Sequence, residues 1–102
     1  MQTDISCYLS EHQLTIRVAG HFTFQAHHQF RKSFQGLLNE QITTVTLDFA
    51  GLDYIDSSAL GMLLTLRSAS ENPPRQVRII NSTPKVKAIL KMANFERLFE
   101  IV

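Results

Sequence analysis

The chain of 102 residues, 44% hydrophobic and 19% charged, is long enough for one hydrophobic core and is expected to form a single domain over residues 1–102. A formal net charge of +1, with Lys and Arg scattered along the chain, argues against nucleic-acid binding and leaves a protein partner open. The start lacks a basic segment followed by an apolar run, no apolar stretch reaches bilayer length, and the lone Cys7 excludes an internal disulfide, so a cytoplasmic protein without membrane insertion is expected.

Ile5, Cys7 and Leu9 alternate, as do Leu14, Ile16 and Val18, and the polar Ser10, Glu11 and His12 between them predict a hairpin. Cys7 then reads as a buried strand residue, and Gly20 as the end of the second strand. Over residues 25–39 the spacing of Ala26, Phe30, Phe34, Leu37 and Leu38 predicts a helix. Val45, Leu47 and Phe49 alternate again in residues 43–49, a loop is expected over 51–56, and the apolar residues 59–66 begin a helix reaching about Ser70. Asn72, Pro73 and Pro74 close it, because proline disfavours helix at the residue before it.

Val77, Arg78, Ile79 and Ile80 follow as a strand. Ser82, Thr83 and Pro84 open another helix by a hydroxyl cap and a proline at its first position, and Val86, Ile89, Leu90 and Ala93 form its apolar face. The apolar residues Phe95, Leu98, Phe99 and Ile101 must pack back onto the body. Alternation of strands and helices after a hairpin predicts an α/β fold, with a mixed β-sheet of about four strands and helices mainly on one face.

The histidines His12, His21, His27 and His28 lack the Cys or carboxylate spacing of a zinc site, so no metal is expected. Ser57 is in no Gly-x-Ser-x-Gly elbow, and the isolated Gly20, Gly36, Gly51 and Gly61 make neither a P-loop nor a dinucleotide fingerprint. These readings point to a protein that is not an enzyme and holds no cofactor. Phe30 and Phe34 read as core residues on a helix face.

Asp56, Ser57 and Ser58 stand where the central helix begins. One reading makes a serine hydroxyl a helix cap. The other makes it a modified group, since the segment leaves a strand where open α/β sheets place their sites. A phosphate there would add about −1.5 to −2 charge and three acceptor oxygens. The helix N-terminus tolerates such an anion, whereas a contact made across it would be lost.

Asp56-Ser57-Ser58-Ala59-Leu60-Gly61, with Leu52 and Ile55 before it and Asn81 to Pro84 after it, resembles the signature of STAS domains, the bacterial anti-sigma factor antagonists and their relatives. The resemblance implies that Ser57 is the phosphoacceptor. It further implies that the unmodified form binds an anti-sigma factor and serine kinase with a histidine-kinase-like ATPase fold, and that a PPM-type phosphatase reverses the modification. Asp56, Ser57, Ser58, Ala59, Leu60 and Gly61, together with His21, Phe22 and Thr23, are the expected partner-binding residues, with Ser58 serving as cap and contact. Two positions depart from the family pattern. His21-Phe22-Thr23 lacks the usual acid, which points to a divergent partner, and Ala59 replaces a common glycine. A constitutive accessory subunit of a membrane transport ATPase is the alternative implied by STAS relatives of that kind.

Overall fold

Leu14, Ile16 and Val18 point one way from their strand and Thr15 and Arg17 the other, so burying the first set leaves the second on an open, polar face. This pattern organises the computed structural model, which describes residues 2–102. In chain order come β1 (Thr3–Ser10), β2 (Gln13–Phe22), a 3-10 turn (Phe24–Ala26), α1 (His27–Gln35), β3 (Thr44–Asp48), β4 (Leu52–Ile55) and α2 (Ser57–Ala69). Then follow β5 (Gln76–Ile80), α3 (Pro84–Met92), a second 3-10 turn (Phe95–Arg97) and β6 (Glu100–Ile101). β1 and β2 form the expected antiparallel hairpin, and every other pairing is parallel.

The sheet has six strands in the order β1-β2-β3-β5-β6, with β4 paired to β2, where about four strands were expected. The two additional strands are β4, inside the segment read as a loop, and β6, at the end of the apolar tail. β4 spans four residues with only its first and last buried, and β6 has two residues, so neither shows a period. Gly20 does not end β2. It adopts φ +86°, the register shifts between Gly20 and His21, and β2 passes from β3 to a new partner, β4. A side chain at Gly20 would run into the Gln2 carbonyl oxygen, so sterics as well as torsion require glycine there.

The core lies between the sheet and the helices, with Phe22, Phe30 and Phe49 among its largest fully buried side chains. Each such residue contributes about 1.5–3 kcal/mol of burial. α1 packs on β1 and α2, and α3 packs on β4. On the opposite face Thr46 is buried beneath Arg78, whose Nε donates to its hydroxyl at 3.0 Å. The predicted start of α3 is present: Thr83 accepts from the Val86 amide at 3.3 Å and Pro84 opens the helix. No helix among the described residues is long and apolar enough to cross a membrane.

Candidate functional site

β2 and β4 run parallel and end together, with Phe22 opposite Ile55. The Asp56 amide then donates to the Phe22 carbonyl at 3.1 Å, which fixes the exit of the chain from the C-terminal edge of the sheet. Asp56 is extended, and its Oδ1 accepts from the Ala59 amide at 2.8 Å. Its Oδ2 accepts from the Phe24 amide at 3.3 Å, tying the start of α2 to the turn that precedes α1. The cap of α2 is therefore Asp56. Ser58 does not cap the helix, in contrast to the sequence reading, because a carboxylate one residue ahead of Ser57 already occupies that position.

Ser57 and Ser58 are the first two residues of α2, and both are exposed. Neither hydroxyl has a hydrogen-bond partner among the described residues. Their amides belong to the first turn of a helix, where N–H groups lack intrahelical acceptors and the dipole favours an anion. The geometry thus offers an accessible hydroxyl beside an electropositive backbone end.

Among the expected contact residues, Ser57, Ser58 and Gly61 are exposed, while His21, Thr23, Asp56 and Leu60 are half-buried. Phe22 and Ala59 differ from the rest: both are 0% exposed, so their side chains shape the site from below and are not on its surface. Phe22 is on the inward face of β2, with its ring 5.0 Å from that of Phe30. Ala59 faces the core from the first turn of α2. A Cβ added at Gly61 would meet nothing within 4 Å, so this mid-helix glycine answers no packing constraint inside the chain.

Two side chains absent from the expected set flank the site. Phe24 is 62% exposed and stacks on His27 with centroids 5.1 Å apart. Tyr54 lies 5.7 Å from the His21 ring and beneath the Lys85 ammonium at 5.8 Å. Continuing the period of two through Gly20 would have placed Phe22 inside. The exposure of Phe24 depends on the 3-10 turn that follows β2, which leaves no periodic signal.

No group of three or more His, Cys, Asp or Glu able to hold a metal occurs among the described residues. Cys7 is half-buried and its Sγ donates to the Ser33 carbonyl at 3.2 Å. Burial pushes its thiol pKa up, and the contact with Ser33 partly opposes that rise.

A family model described as Mlab, STAS domain, matches residues 6–102. A STAS-domain containing protein of Pseudomonas aeruginosa (strain UCBPP-PA14) is 40% identical over 89 residues, 87% of each chain. The anti-sigma factor antagonist SpoIIAA in its unphosphorylated form superposes with a TM-score of 0.81 at 19% identity, covering 99% of this chain and 88% of that one. The phosphorylated form of SpoIIAA, a Bacillus cell fate determinant, gives 0.69 at 18% identity, covering 99% and 91%. A sulfate transporter family protein from Wolinella succinogenes gives 0.77 at 14% identity, covering 92% and 79%. At these identities the solved structures show a shared fold. The family model spans nearly the whole chain and agrees with the motif around Asp56 and Ser57, and on that match the chain belongs to the STAS domain family.

Proposed function

We propose that this protein is an anti-sigma factor antagonist that works as a phosphorylation-controlled binding switch. Unmodified, it binds a partner through the surface around the start of α2. That partner is an anti-sigma factor and serine kinase with a histidine-kinase-like ATPase fold, which phosphorylates Ser57, and a PPM-type phosphatase restores the hydroxyl. The observation that carries this reading is that Ser57 is exposed at the first position of α2 while Asp56 already caps that helix. Folding has no use for the Ser57 hydroxyl, and a phosphate there adds charge to the surface without displacing an internal bond. The solved SpoIIAA structures, in unphosphorylated and phosphorylated forms, give the reading a precedent on the same fold.

The test is binding of the partner kinase by Ser57→Ala and Ser57→Asp, together with intact mass of the protein from cells before and after phosphatase treatment. Ser57→Ala should bind as the unmodified protein does and Ser57→Asp should bind at least about tenfold more weakly, consistent with the several kcal/mol that a like-charge contact costs. Equal affinities would sink the switch.

A second reading is a constitutive accessory subunit of a membrane transport ATPase; the fold shared with the Wolinella sulfate transporter family protein supports the link to membrane transport alone. It expects a copurifying ATPase and no phosphorylated form under any growth condition.

A further inference from the structure

The nine Asp and Glu residues are distributed unevenly: none falls between residues 12 and 39 or between 57 and 70. Neither α1 nor α2 contains a carboxylate, whereas α1 alone contributes His27, His28, Arg31 and Lys32. Arg67, near the end of α2, pairs with Glu71 at 3.4 Å, and Asp56 is engaged by the Ala59 and Phe24 amides. With His neutral, Arg31 and Lys32 are the charges that α1 carries, and neither helix has a carboxylate to offset them.

A groove with an apolar floor and a partly polar rim runs along this face between the two helices. One cleft of about 80 Å³ has Phe30, Phe34 and Met62 in its lining, with His27, Arg31 and Thr65. A second, of about 300 Å³, is of mixed polarity: it shares Arg31, Phe34 and Thr65 and continues to Gln35, Leu38 and Ala69. Phe30 and Phe34 are only 1% and 4% exposed, so they form a floor with the charged Arg31 at its lip. Phe24 stands at the other end, on the turn that Asp56 ties to the start of α2.

We propose that this groove receives an amphipathic helix of the protein partner, with an apolar ridge set into the cleft and carboxylates along its flank facing Arg31 and His27. This rests on the reading that a protein partner docks around Ser57, and it names the chemistry of that partner. An apolar ridge at i, i+3, i+4 and i+7 is the form that a groove between two helices accepts. The nine residues of α1 flank the groove for about 13 Å, enough for a helix of two to three turns. A second copy does not supply the ridge, since α3 carries Lys85, Lys87 and Lys91 and no acid, like α1 and α2. A concave floor also favours an inserted ridge over a flat lipid surface. At the groove's end, a phosphate on Ser57 would meet the incoming carboxylates and repel them.

The experiment uses the full ¹⁵N-labelled chain and two synthetic helical peptides of about four turns with one shared leucine ridge, bearing either Glu or Lys on the polar face. The Glu peptide should bind saturably and move the amide signals of Arg31, Met62 and Thr65. The Lys peptide, and the Glu peptide on Arg31→Glu, should bind at least about tenfold more weakly. Circular dichroism checks that the exposed Arg31→Glu change leaves the fold intact. Equal affinity for the two peptides, shifts on another face, or undiminished binding by Arg31→Glu would overturn the proposal. So would binding to phosphatidylglycerol vesicles that Arg31→Glu abolishes while neither peptide binds, or self-association through this face in sedimentation. The two readings separate cleanly. A Ser57→Asp chain that keeps full affinity for the kinase removes the switch, and Arg31-dependent binding of the Glu peptide then leaves the groove standing. An Arg31→Glu chain that still binds and releases its kinase normally removes the groove alone.

Discussion

Asp56 joins three pieces of structure through one side chain and its backbone: the end of β2, the first turn of α2 and the turn before α1. Asp56→Ala should therefore lower stability by about 1 kcal/mol, the usual loss for an N-cap, with urea denaturation as the measurement. Asp56→Asn keeps an acceptor and should lose much less. Ser57→Ala should stay within about 0.5 kcal/mol of the parent, because its hydroxyl makes no internal bond. A large loss in Ser57→Ala would make that serine a structural residue. Cys7 supplies a pH-dependent test at the same scale. Burial raises its thiol pKa in the folded state, so the proton is held more tightly there than in the unfolded chain. The associated stability is complete below the ordinary thiol value of about 8.5 and declines as pH rises through the raised folded value. The difference in urea midpoint between the parent and Cys7→Ala should accordingly change to the parent's disadvantage above about pH 8.5 and stay flat below it. A difference flat across the alkaline range would contradict a buried, proton-holding thiol.

Among the elements, α2 shows where folding and binding make different demands. Gly61 sits mid-helix, exposed, with open space around the position of a Cβ. Glycine there is less stable than alanine by about 0.5–1 kcal/mol. Gly61→Ala should raise the unfolding free energy by that amount, read in urea denaturation, while weakening partner binding, since the added methyl projects into the contact surface. A variant that is stabilised and binds unchanged would show that no backbone approaches α2 at this point. The elements also differ in how far the sequence disclosed them. β1, β2, β3 and β5 each carry an alternation long enough to read, and α1 and α3 carry an apolar face at helical spacing. β4 escaped because Leu52-Asp-Tyr-Ile has both buried residues at its ends and depends on the Gly20 register shift in a strand far away in the chain. Phe22 and Ala59 were read as contact residues because motif position says which segment forms a site, whereas burial depends on which face the completed fold turns inward. The cap went to Asp56 for a related reason: the choice among three adjacent cap-forming residues depends on where the Phe22 carbonyl holds the chain.

For the molecule as a whole, the sheet, the core and the helix starts were built without the Ser57 hydroxyl, so the proposed switch acts on a surface and leaves the fold alone. The largest core side chains, Phe22, Phe30 and Phe49, come from β2, α1 and the turn after β3, and they hold the site's underside in place whatever happens above it. A phosphate at the first position of α2 gains from the helix dipole by about 0.3–1 kcal/mol and meets the Asp56 carboxylate beside it, two opposing effects of similar size. Thermal unfolding of the phosphorylated protein should therefore remain within a few degrees of the unmodified form, given the 4–8 °C per kcal/mol typical of a domain of about this size. On the same samples, affinity for the kinase should fall by at least about tenfold, which is about 1.4 kcal/mol of interaction free energy. The two measurements together discriminate between mechanisms. Weak binding with an unchanged midpoint places the effect at the docking surface, as the exposed Ser57 and the intact Asp56 cap imply. A midpoint that collapses in step with affinity would mean that the phosphate opens the start of α2, and that the partner is lost through local unfolding.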